Sequence, residues 1–230
     1  MANGKMTLRF FYKEWLKTRF FVLAVLVLGL AAVAYIFLDV DSSVRQNGPF
    51  NYLMSVLYGI PQGNYYIRII RFLPLIAAVA IGFAQYVPEV LDKRIKLTFH
   101  LPMRNSRAIF LMLLYGFCAI LMIYLFIFGA FFILNNHYFP WEETRAVLVS
   151  VTPWMLGGFA AYFMIALIAM EPRLIYQFLY ALVAYFLVVQ FYVGHEHGDT
   201  VRIIGKLAVL ALMPAVGIFF SMQRFIKGER

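Results

Sequence analysis

Six stretches of this chain are apolar over about the length a helix needs to cross a bilayer, and little sequence is left between them. They lie near residues 20–38, 67–87, 109–134, 147–170, 174–193 and 203–221. A spanning helix takes about 20 residues, because the hydrocarbon core is about 30 Å thick and a helix rises about 1.5 Å per residue. In lipid the backbone has no water to bond, so each span must satisfy its own N–H and C=O groups as a helix. The expected fold class is therefore an all-α membrane protein with six transmembrane helices. The sequence is 63% hydrophobic and 13% charged, against about 45–50% and about 25% in soluble domains. A soluble core of 230 residues could not cover that much apolar surface,.

The basic residues orient the spans. Fourteen Lys and Arg fall on one side and six on the other, and the side richer in them is the cytoplasmic one. Both termini are thus expected inside. Arg68 and Arg71 at the start of the second span, and Lys206 in the sixth, lie close enough to span ends to reach the headgroups,. The net charge of +9 sits beside apolar stretches rather than in a soluble basic module, so it suits anionic headgroups and not nucleic acid. Cys118 is the single cysteine, which rules out an internal disulfide and a cysteine-based zinc site,. The first apolar stretch follows a basic segment as a signal peptide would, but its apolar run reaches Leu38 and predicts an uncleaved span,.

The pattern divides the chain into an amphipathic segment at 1–19, a six-helix domain at 20–222 and a cytoplasmic tail at 223–230. In the first segment Leu8, Phe11, Tyr12 and Trp15 share one helical face, and Arg9, Lys13 and Lys17 share another,. Phe10 breaks the pattern. Such a helix is expected to lie in the inner membrane interface, on membrane lipids. Small residues recur four apart inside the spans, as Ala78 with Gly82 and Gly157 with Ala161. Pairs of this kind let helices approach closely, within one subunit or against a second.

The longest inner loop, residues 88–107, interleaves Val90, Leu91, Ile95, Leu97, Phe99 and Leu101 with Asp92, Lys93, Arg94 and Lys96. A solvated hairpin does not need six apolar residues. A short helix docking on a soluble partner would use them as anchors, with the charges setting register. A helix lying on the membrane surface would use them too.

Glu89, Lys93, Arg94, Leu101, Pro102, Ser106 and Arg107 follow one another in an order that resembles the inner loop of permease subunits of ABC-2 type transporters. The layout of six spans with both ends inside and an amphipathic helix at the start is similar as well. The resemblance implies a coupling helix that enters a cleft of an ATP-binding cassette subunit. Glu89, Asp92, Lys93, Arg94, Lys96, Leu97, Leu101 and Pro102 would make that contact. It also implies a second permease subunit, identical or different, and a bacterial inner-membrane location. ATP and Mg would be bound by the partner, with no cofactor in this chain. The loops at 171–173 and 194–200 are shorter than the pattern asks for.

No G-x-x-x-x-G-K-[ST] phosphate loop occurs, so nucleotide hydrolysis by that route is not expected here,. The span interiors hold Gln85, Ser150, Thr152, Gln177 and Gln190 but no Asp, Glu or Lys of the kind an ion-coupled transporter uses,. Uphill transport would then draw its energy from another subunit. The four histidines, 100, 137, 195 and 197, read as loop residues, which leaves no pair for a haem within the membrane,. Glu142-Glu143-Thr144-Arg145 has the wrong arginine spacing for a membrane protease, and His195 with His197 makes no closed metal site,. Two functions follow as expectations. The first is a permease subunit moving a hydrophobic or lipid-like cargo. The second is a non-transporting scaffold that docks a soluble partner through residues 88–107.

Overall fold

A computed structural model describes residues 2–48, 50–51, 69–91, 105–193 and 197–227. Among them lie six helices: α1 (Ala2–Asn47), α2 (Leu73–Leu91), α3 (Asn105–Tyr138), α4 (Trp141–Met170), α5 (Leu174–Tyr192) and α6 (His197–Lys227). All six contain a stretch long and apolar enough to cross a membrane. No strand occurs among the described residues.

Four of the helices, α1, α3, α4 and α6, outrun the apolar stretches that predict them. Chain leaving the hydrocarbon enters the headgroup layer, where a helix keeps its internal hydrogen bonds at no extra cost, so polar flanks extend the spans. His137 accordingly sits in the last turn of α3 and His197 opens α6, which corrects the expectation that both are loop residues. The overrun is greatest in α1, whose 46 residues measure about 69 Å at 1.5 Å each. That exceeds the whole membrane, headgroups included, at about 40–45 Å.

α1 is one helix where the sequence suggests two, an interfacial segment and then a span. No glycine or proline interrupts residues 5–28, and sharp bends in helices nearly always need one or an inserted group. Side-chain bonds from Lys13, Lys17 and Thr18 also hold this part of α1 against the bundle. The helix turns the stripe Phe10, Glu14, Thr18, Val22, Val25, Val33 and Ile36 inward, all of them buried. Leu8, Tyr12 and Trp15 face outward, and Phe11 is partly covered by an edge-on contact with Tyr115.

α4 is the central helix, packing on α2, α3, α5 and α6, while α1 closes the far side against α2 and α3. The apolar stretch of α4 is 67% buried, against 6% for that of α5. The small residues marked in the sequence serve contacts within this chain. A Cβ on Gly82 would come 3.0 Å from Ile165, and one on Gly157 would come 2.8 Å from Phe191. At the α3–α4 turn, Pro140 opens α4 with φ −59°, its ring already fixed near the helical value. There Asn135 donates to Thr144 across 2.9 Å, and both are buried.

Candidate functional site

Polar side chains gather where the first turns of α1 meet the last turn of α2 and the start of α3. From α1, Lys13, Glu14, Lys17 and Thr18 occupy steps of three and four residues, which places them on adjoining helical rows,. From α2 comes Glu89, one residue after Pro88, and from α3 comes Tyr115. Lys17 Nζ lies 2.6 Å from Glu89 Oε1 and 2.8 Å from Glu14 Oε1. Lys13 Nζ lies 3.1 Å from Glu89 Oε1 and 3.9 Å from Glu14 Oε1. Both carboxylates are fully buried, and Lys17 is only 14% exposed. Two cations and two anions cancel, so the cluster carries no net charge.

The contact between Lys17 and Glu14 is an ion pair without hydrogen-bond alignment, since Glu14 Oε1 is close to the ammonium yet has no hydrogen-bond partner. The second oxygens, Glu14 Oε2 and Glu89 Oε2, are enclosed and unpartnered. Burying a carboxylate is costly unless an opposite charge stays with it. Each glutamate therefore depends on its lysines, and the ends of α1 and α2 are held together through four side chains. Beside the cluster, the Thr18 and Tyr115 hydroxyls share a 2.5 Å hydrogen bond, and Thr18 also donates to the Glu14 carbonyl at 3.1 Å.

Deeper in the bundle the polar groups are neutral. Gln85 Nε2 donates to the Met112 carbonyl at 2.8 Å, and the Tyr162 hydroxyl donates to Gln85 Oε1 at 3.0 Å. The Tyr86 and Tyr162 hydroxyls are 3.1 Å apart. All three side chains are fully buried. Gly116 is what lets Tyr162 reach this position, because a Cβ there would collide with its hydroxyl. A third buried glutamate, Glu171, follows the last turn of α4 and accepts a 2.7 Å hydrogen bond from Ser221 of α6. The short 171–173 connection is thus used to join α4 to α6.

Among the residues expected to bind a partner, Glu89 is described, and its side chain is enclosed by Lys13 and Lys17 of its own chain. This differs from a surface position, because a carboxylate one turn from two lysines on a neighbouring helix gains more by pairing with them than by facing water. Asp92, Lys93, Arg94, Lys96, Leu97, Leu101 and Pro102 lie outside the described residues. Of the expected interfacial residues, Arg9 is exposed with Leu8, Tyr12 and Trp15, whereas Lys13 and Lys17 turn toward Glu89.

Sequence reading missed Glu14 and Tyr162. A signal for Glu14 was present: it is the only acid in the basic first segment, and it stands four residues from both Phe10 and Thr18. No group of three His, Cys, Asp or Glu side chains meets among the described residues to hold a metal. With their charge taken by lysines, Glu14 and Glu89 suit a mechanical tie better than acid–base chemistry. Comparison with protein-family models, curated proteins and solved structures finds no match.

Proposed function

We propose that this chain is the membrane-spanning permease subunit of an ATP-driven transporter, moving a hydrophobic or lipid-like cargo with energy from a separate ATP-binding cassette subunit. The observation that carries the reading is the placement of Glu89. It stands at the root of the longest inner loop and is gripped by Lys13 and Lys17 of α1. A force applied to residues 88–107 by a partner would pass through this root into α1 and α2 together, and from α2 into the central α4. The neutral character of the Gln85–Tyr86–Tyr162 network supports an external energy source, since proton- or ion-coupled transport works through ionisable groups along the path,.

In this reading both termini face the cytoplasm of a bacterial inner membrane, and two permease subunits pair with two ATP-binding subunits. ATP and Mg belong to the partner. The first turns of α1 sit at the inner interface, where the exposed Leu8, Tyr12 and Trp15 meet lipid, as aromatic and apolar residues do at headgroup depth.

The test is recovery of an ATPase with the tagged chain from native membranes, followed by vesicle transport. Co-purification with ATP-dependent flux is the expected outcome. Recovery of no ATPase would sink the proposal, and recovery with assembly but no flux would favour the scaffold.

A further inference from the structure

At the opposite end of α2 from Glu89, a groove of about 470 Å³ opens between α2 and α5, floored by α4. Phe72, Val79, Phe83, Ile165, Ala184 and Tyr192 are among the side chains that line it, and almost all of its surface is apolar. The volume falls within the about 300–1,000 Å³ typical of ligand sites. Along α2 the lining runs from Phe72 to Phe83, and along α5 from Ala181 to Tyr192. Eleven residues of helix cover about 16 Å, roughly half of a 30 Å hydrocarbon core. The groove therefore has the depth of a single leaflet.

Its mouth is not apolar. Arg71 sits there half-buried, with its guanidinium 5.5 Å from the Tyr192 ring and 5.9 Å from the rings of Phe72 and Trp154. It donates to the Tyr192 carbonyl, which ties the start of α2 to the end of α5. Among the described residues no carboxylate pairs with it. Its Nε and the Tyr192 hydroxyl are enclosed without hydrogen-bond partners. Aromatic faces offset part of a cation's desolvation but supply no counter-charge. A guanidinium so placed matches a phosphate, which it binds through parallel N–H donors.

We propose that this groove holds one acyl chain of an anionic phospholipid in the leaflet away from Glu89, with the lipid phosphate on Arg71. A one-leaflet apolar slot, with an arginine at its headgroup end that no carboxylate among the described residues neutralises, fits that ligand and no water-soluble anion, which would leave the slot unfilled. The site does not depend on the chain being a transporter, so its lipid would be retained whether or not an ATPase is found.

The full chain in nanodiscs of equal phosphatidylglycerol and phosphatidylcholine is released into detergent and its retained lipids are read by native mass spectrometry. The unaltered protein should keep one phosphatidylglycerol in preference to phosphatidylcholine. Arg71→Gln should lower that retention at least ten-fold, and Ala184→Trp, which fills the slot, should abolish it. Equal retention of the two lipids, or of phosphatidylglycerol by both variants, would overturn the proposal. So would a dimer of the chain that carries no lipid. Should the variants fail to fold, the unaltered protein is photolabelled with phosphatidylglycerol bearing a diazirine on its acyl chain. Adducts concentrated on α2, α4 and α5 at the groove are expected, and adducts spread evenly over the outward faces of α1 and α3 would refute it.

Discussion

Lys17 donates a 2.6 Å hydrogen bond to Glu89 across 72 residues of sequence, with the carboxylate fully withdrawn from the surface. The pair fixes the long first helix to the point where the chain leaves α2. Removing one member of a buried ion pair typically costs about 3–5 kcal/mol, mostly because the other charge is left uncompensated. Lys13 stays near enough to take part of that charge. Lys17→Met should therefore destabilise the protein by less than that range, read as a lowered melting temperature in detergent. Adding Glu89→Leu to Lys17→Met should restore part of the loss, since the stranded charge goes with it. A double variant weaker than either single one would contradict this pairing.

Two glycines on one helix give opposite predictions. In α3 a Cβ at Gly116 would collide with Tyr162, whereas one at Gly129 would meet nothing within 4 Å. Gly116→Ala should cost about 1–3 kcal/mol, the usual range for overpacking. Gly129→Ala should instead stabilise by about 0.5–1 kcal/mol, because alanine loses less backbone entropy in a helix. Thermal denaturation of the two variants side by side measures the difference in sign.

The neutral network should also answer to a single atom. Tyr162→Phe removes the hydroxyl that donates to Gln85 and contacts Tyr86. Leaving a buried amide oxygen without its donor costs about 1–3 kcal/mol, and that loss of stability is the expected result. An unchanged melting temperature would mean that Gln85 finds another donor.

The six spans were legible because bilayer thickness sets a length that lipid-facing helices must meet, and that length is written in apolar residues. Contacts between distant residues were not. Nothing in the local pattern around Arg71 points to Trp154 or Tyr192, which reach it only after three helices pack. The outward face of α1 was readable from Leu8, Tyr12 and Trp15, yet the inward stripe through Phe10, Glu14 and Thr18 was obscured. A buried glutamate looks like part of a charged face until its lysine partners are placed, so the tie from Glu89 to α1 was not legible.

Whether α1 is unbroken can be measured directly. Leu8 and Leu28 both face outward, and spin labels there should be about 30 Å apart along a continuous helix. A right-angle bend at Arg19 would bring them to about 21 Å by the same rise per residue. A double electron–electron resonance distance near the shorter value would return the first segment to a separate interfacial helix.

The most direct test of the account is ATP hydrolysis by the complex purified through the tagged chain and placed in nanodiscs, with Lys17→Met beside the unaltered protein. Both should recover the ATPase, and the unaltered chain should stimulate it. The variant should lose part of that stimulation, because Lys13 is left as the one lysine tying Glu89 to α1. Full stimulation with the Lys17–Glu89 tie broken would contradict it.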